Sequence, residues 1–152
     1  METSIEMITK FFQAHDEYIG KISVETRYGY YKILAADITA YNSEVYEIET
    51  ESGNILKCSP DHRLLDENNN WVYAKNLLLN DTIQCKSNNE HITKIKLLDD
   101  REDLYDIQVD TVKEYYSNNI VSHNSSIIDS ITFGLYGKPF RDIKKDLLIN
   151  NI

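Results

Sequence analysis

Cysteine is scarce in this chain. Its two cysteines, Cys58 and Cys85, show neither CxxC nor His-pair spacing. That pattern excludes a disulfide scaffold and offers no metal-ligand set, so two buried thiols in a reducing compartment are expected and no metal or cofactor is assigned. Proline is confined to Pro60 and Pro139, and no repeat or low-complexity tract occurs. The five glycines form no G-x-x-x-x-G-K-[ST] loop, which argues against nucleotide binding by this chain alone. No stretch approaches the roughly 20 apolar residues of a membrane span, and the N-terminus lacks a basic-then-apolar signal, so a cytoplasmic protein with no membrane span is expected. Positive charge is also in deficit: 16 Lys and Arg face 25 Asp and Glu, for a net charge of -9. Residues 125–152 carry +1 of that, leaving -10 on residues 1–124. Such a surface repels phosphate, so residues 1–124 are not expected to bind nucleic acid directly, whereas a short basic partner suits them.

At 152 residues the chain is long enough for one domain with a substantial core. Thr3 with Glu6 has the form of a capping box, and Ile5, Ile8, Phe11 and Phe12 recur at helical spacing, which predicts a short amphipathic helix over about 4–14. Strand signals then dominate. Segments 21–35, 43–51 and 55–58 are rich in Val, Ile, Tyr and Thr, with Glu51-Ser52-Gly53-Asn54 as a hairpin turn. A polar turn over 64–70, a short strand at 71–73, a helical turn over 74–79 and strands at 81–85, 104–109 and 115–121 complete the pattern. Segment 86–101 is too short for an inserted domain. Trp71 and Tyr105 read as core, His15 and His91 as solvated, and the Tyr28–Tyr31 stretch as ordinary packing. An all-β, antiparallel architecture with one minor helix follows.

The junction His123-Asn124-Ser125 divides the chain into two parts with unrelated logic. The Asn124 amide can attack its own carbonyl, His123 can move protons, and the Ser125 hydroxyl can accept an acyl group, a set that suits peptide-bond cleavage and transfer. Downstream, Ser125-Ser126-Ile127-Ile128-Asp129-Ser130-Ile131-Thr132-Phe133-Gly134-Leu135-Tyr136-Gly137 reads as a helix that follows a phosphate-binding loop, without the loop.

Three upstream segments, in order, resemble the Hint fold of inteins. Leu56-Lys57-Cys58-Ser59-Pro60-Asp61-His62 resembles the Thr-x-x-His block, with Ser59 in the Thr position. Trp71 to Leu77 followed by Asp81-Thr82-Ile83 resembles the segment after it. Tyr105 to Val109 and Asn118 to Asn124 resemble the closing block. Two departures stand in that block: Lys113 where a histidine is usual, and Asn119 where the turn usually has glycine, although Asn tolerates positive φ. The resemblance implies a Hint-type β horseshoe over residues 1–124, followed by a helical C-extein over 125–152 that resembles the ATPase subunit of phage recombination and double-strand-break repair nucleases.

The resemblance also implies roles. His62 transfers protons, Ser59 orients the site, and Asp106 sits near Ser125 and tunes it. Ser125 accepts the acyl group, and Asn124 cyclises with help from His123. Nothing matches the family's first block, "C-x-x-G-D-T", so the chain is expected to be the C-terminal piece of a split intein. Its partner would be a short N-terminal fragment carrying the N-extein, and the ligated product a nuclease subunit with a rebuilt phosphate-binding loop. The blander alternatives are a surface role for His62, a sheet-edge charge at Asp106, a module that only cleaves at Asn124, and a regulatory domain of an ATP-binding nuclease subunit.

Overall fold

The computed structural model describes residues 3–124, 147–150 and 152. Helix α1 spans Ile5–Ala14, and its cap is Ser4, whose side chain accepts a hydrogen bond from Met7 N. The box is therefore offset by one residue from the predicted Thr3, because Glu6 turns outward to pair with Lys10 at 3.1 Å instead of reaching back. Ile8 and Phe12 face inward from α1 and are buried.

Twelve strands are described: β1 Ile22–Thr26, β2 Gly29–Ser43, β3 Tyr46–Thr50, β4 Ile55–Cys58, β5 Arg63–Leu65, β6 Trp71–Tyr73, β7 Thr82–Gln84, β8 Asn89–Leu97, β9 Glu102–Val109, β10 Glu114–Ser117, β11 Ile120–His123 and β12 Leu147–Ile149. They form three four-stranded sheets, ordered β12-β1-β2-β9, β10-β11-β5-β6 and β4-β3-β8-β7. All pairings are antiparallel except β1 with β12. The all-β expectation is met, with α1 as the minor helix.

Strand β2 is the long curved element. Its 15 residues pair first with β1 and then with β9, and register shifts near Ile33, Ile38 and Ala40 bend it. That curvature wraps α1 and the first sheet around one apolar cluster, which includes Phe12, Val24, Ile33, Ile107 and Tyr115. A second cluster, built on Ile48, Leu64, Ile83, Ile92 and Ile120, ties the other two sheets together.

Several local readings change. The segment 115–121 is not one strand but the hairpin β10–β11, whose closing pair Ser117↔Ile120 leaves a two-residue loop. Both loop residues, Asn118 and Asn119, sit at positive φ, 44° and 66°. A type I′ loop demands that, and asparagine supplies it in place of glycine. Residues 63–65 are strand, and the turn begins only at Asp66, whose Oδ1 accepts from Asn68 N and Asn70 N. Segment 86–101, given no strand from its sequence, holds β8. The alternation Lys94-Ile95-Lys96-Leu97 carried the signal, out of phase with buried Ile92 because the register shifts between them. Trp71 and Tyr105 are half-buried rather than fully buried, and Tyr28 and Tyr30 stand exposed, so of that stretch Tyr31 alone packs against the core. His15 and His91 are exposed. The helix expected after Asn124 lies outside the described residues, and the described end of that segment, Leu147–Ile149, is strand.

Phe12 is 1% exposed and Met7, on the opposite face of α1, is 63% exposed. Phe12→Ala is expected to lower unfolding free energy by about 3–5 kcal/mol through lost burial and a residual cavity. Met7→Ala should change it by less than about 0.5 kcal/mol. Urea titration followed by far-UV circular dichroism measures both, and equal effects would contradict the assigned core face.

Candidate active site

The polar residues that the sequence singled out meet at one cavity of about 860 Å³, which Ser59, His62, Asp106, His123 and Asn124 all line. Ser125 lies outside the described residues. The convergence is produced by β11, which is held between β10 and β5.

Ser122 of β11 pairs with Leu64 of β5. That register brings Arg63 alongside His123 and within reach of the next carbonyl. Asn124 O accepts from Arg63 Nη2 at 3.0 Å and lies 2.8 Å from His123 Nδ1. With Nδ1 carrying the hydrogen, both groups donate to this oxygen. It therefore sits where two donors, one permanently charged, polarise the Asn124 carbonyl and can hold negative charge that develops on it.

The remainder of Asn124 is fixed from the other side. The residue is 1% exposed, its N–H donates to Lys113 O at 3.0 Å, and Nδ2 lies 3.5 Å from Val109 O. Lys113 adopts φ 57° and Thr111 φ 61°. Such values cost a β-branched or long side chain on the order of 1 kcal/mol or more, so this turn is strained where it presents its carbonyl to Asn124. At the position where the family resemblance implied a histidine, the contact to Asn124 is made by the backbone of Lys113.

His123 is oriented by Trp71, whose ring meets it edge-on at 4.7 Å between centroids and 86° between planes. His62 is set by the turn before β5. Its N–H donates to Ser59 O at 3.1 Å, its carbonyl accepts from Ala74 N at 2.8 Å, and Pro60 O accepts from Lys75 N at 3.0 Å. The His62 Nε2 atom is buried and has no hydrogen-bond partner among the described residues. Burial first, then the neighbouring charges of His123 and Arg63, hold its pKa down at about 4, so the ring is neutral at pH 7.

Asp106 is no edge charge: it is 4% exposed and accepts from Tyr115 Oη at 2.7 Å and from Ile107 N at 2.7 Å. Burial and then the adjacent carboxylate push the Tyr115 hydroxyl well above its ordinary value, so it stays a donor. Cys58 also borders the cavity, and burial pushes its thiol up to about 12, which keeps it protonated and poorly nucleophilic. Cys85 is likewise raised to about 12.

Arg63 and Tyr115 were not anticipated. Arg63 directly follows His62 and could have been found from strand alternation once β5 was recognised. Tyr115 depends on β9 and β10 meeting, which no local pattern reveals.

A histidine whose folded value of about 4 lies below its unfolded value near 6.5 binds fewer protons when folded across that window. Its contribution is complete above pH 6.5, declines as pH falls, and is gone below about pH 4, a loss on the order of 3 kcal/mol. Chemical denaturation at stepped pH should show this decline, and His62→Gln should flatten it. A His62 ring that titrates near 6.5 by NMR would contradict the assignment.

No protein-family model matches the chain. Among solved structures it resembles the VidaL intein, with a TM-score of 0.73, 20% identity and 82% of each chain covered. It also resembles a variant of the gp41-1 intein, with a TM-score of 0.62, 25% identity, 70% of this chain and 82% of the other. Among curated proteins it resembles exonuclease subunit 2 of Enterobacteria phage T4, at 49% identity over 47 residues, which is 30% of this chain. The corresponding protein of Escherichia phage RB69 matches at 47% over 47 residues. The chain spans about 8% of the length of these relatives. A 47-residue match is longer than segment 125–152, so the likeness is not confined to that segment. The chain has the Hint fold of the inteins and, over a limited stretch, resembles a phage nuclease subunit.

Proposed function

We propose that residues 1–124 are the C-terminal fragment of a trans-splicing intein and residues 125–152 the start of its C-extein. The observation that carries this reading is the grip of Arg63 and His123 on the Asn124 carbonyl oxygen. A structural asparagine at a strand end needs no pair of strong donors on its own carbonyl, whereas a peptide bond about to be broken does.

In this mechanism Asn124 Nδ2 attacks the Asn124 carbonyl carbon and closes a five-membered succinimide. The carbonyl oxygen takes up negative charge between Arg63 and His123, the bond to Ser125 N breaks, and the departing amine receives a proton. Nδ2 loses a proton in the same sequence. Before that step, a Cys or Ser at the head of a partner fragment attacks its preceding carbonyl to give a thioester or ester. His62, neutral and with a free Nε2, serves as the proton carrier there, and Ser59 orients it. The Ser125 hydroxyl then takes the acyl group, with Asp106, fixed by Tyr115, nearby. After Asn124 cyclises, the ester at Ser125 shifts to its own amine and a normal peptide bond results. No cofactor is required by this scheme.

In this reading the first nucleophile comes from a partner chain. The likeness to exonuclease subunit 2 supports a nuclease subunit as the product. One narrower reading has a specific basis: Arg63, His123 and Lys113, which contact Asn124, all lie in this chain, so without a partner it would cleave at Asn124 and ligate nothing.

Intact-mass spectrometry of the purified chain, alone and with a synthetic N-terminal fragment, tests the scheme. Asn124→Ala is expected to abolish release of the 125–152 peptide while the branched ester accumulates. Ser125→Ala should leave release intact and abolish ligation. Arg63→Ala should slow release by about 10²- to 10³-fold, the range typical for loss of one oxyanion donor. Release at the unaltered rate from Arg63→Ala would remove the observation on which the reading stands.

A further inference from the structure

The sheet β10-β11-β5-β6 has two faces, and register sorts its residues between them. Tyr116 pairs with Val121, Ser122 with Leu64, and Leu65 with Trp71. Side chains alternate along each strand, so Tyr116, Val121, Leu65 and Trp71 form one row across a single face. Leu64, Val72 and Ile120 belong to the opposite face and pack in the second cluster. The row is a small apolar cluster of its own: Leu65 and Val121 are each 1% exposed, Tyr116 is 8% exposed, and half-buried Trp71 packs against them.

His123 and Arg63 stand on the same face as this row, two residues along β11 and β5. Trp71 and His123 are two strand spacings apart, roughly 10 Å of sheet, yet their ring centroids are 4.7 Å apart and their planes at 86°. The indole therefore reaches across β5 to meet the imidazole, in the edge-on geometry that aromatic pairs favour. On another side of the same imidazole, Nδ1 lies 2.8 Å from the Asn124 carbonyl oxygen. One hydrogen bond leaves the ring free to turn, because the outer torsion of a histidine has broad minima. A second ring packed against it removes that turning.

We infer that Trp71 is a positioning residue for cleavage at Asn124: seated on Leu65, Val121 and Tyr116, it holds the His123 ring with Nδ1 on the Asn124 oxygen, and so sets the rate from a row of apolar residues that touches no bond that breaks. This rests on the reading of Asn124 as the cleaved residue. Trp71 acts only through His123. The usual strength of an aromatic pair corresponds at room temperature to a factor of about 2 to 10 in how often the ring is in place.

Release of the 125–152 peptide from the full chain, followed by intact-mass spectrometry, reads the effect. Trp71→Leu is expected to slow release about 2- to 10-fold. Trp71→Phe, which keeps an aromatic edge at shorter reach, should slow it less. Val72→Ala loosens the same strand on its opposite face, so release should stay at the parent rate. A double-mutant cycle separates positioning from general loosening: in the His123→Gln background Trp71→Leu should cost no further rate, because the group on which it acts is gone. The ring contact is read independently by carbon–proton NMR of the chain carrying Asn124→Ala, which keeps the tail attached. The His123 ring protons, displaced by the indole ring current, should move toward their random-coil positions on Trp71→Leu, while those of exposed His15 and His91 should not. Parent-rate release from Trp71→Leu, equal slowing by Val72→Ala, an undiminished Trp71→Leu effect beside His123→Gln, or unmoved His123 signals overturns the inference and leaves the splicing reading standing. No release from the parent chain sinks the splicing reading, and the inference with it.

Discussion

The carbonyl of Asn124 is the point on which the rest of the structure depends. To hold one peptide oxygen between a guanidinium and an imidazole, the chain must end β11 between two neighbours, bring Arg63 from β5, and strain the Thr111–Lys113 turn so that Lys113 O faces Asn124 N. A buried amide must have its hydrogen bonds met. Here the partners that meet them also polarise the bond that the proposed reaction cleaves.

The electrostatics of His62 follow from the same enclosure. Burial comes first, and the neighbouring charges of His123 and Arg63 add to it, so that the His62 ring stays neutral. His123, half-buried and leaning on Trp71, keeps its ring directed at the Asn124 oxygen. Two imidazoles with the same intrinsic chemistry thus stand in different surroundings, one enclosed and neutral, the other half-buried against Trp71 with Nδ1 at the Asn124 oxygen. The acidic exterior takes no part in this division.

The apolar core and the polar site meet at Tyr115, whose ring packs in the cluster under α1 and whose hydroxyl donates to Asp106. Packing density on one side therefore sets the position of a carboxylate on the other.

Much of this was legible in the sequence, and for local reasons. Helical periodicity placed α1, alternation placed most strands, Asn118-Asn119 supported a tight turn, the junction chemistry singled out His123 and Asn124, and the resemblance to the Hint blocks singled out Ser59, His62 and Asp106. The strand β8 was missed although its alternation was present, since exposed lysines masked a half-buried pattern. What local pattern could not contain is which strands meet. Arg63 reaches Asn124 only because Ser122 pairs with Leu64 across about sixty residues of sequence, and Tyr115 reaches Asp106 only because β9 and β10 converge on one cluster. The sequence by itself determined the chemistry available at the junction. The tertiary structure decided which groups touch the Asn124 carbonyl and which strand fills the edge of β1, because long-range register is set by burial of whole sheet faces and not by any residue's own preference.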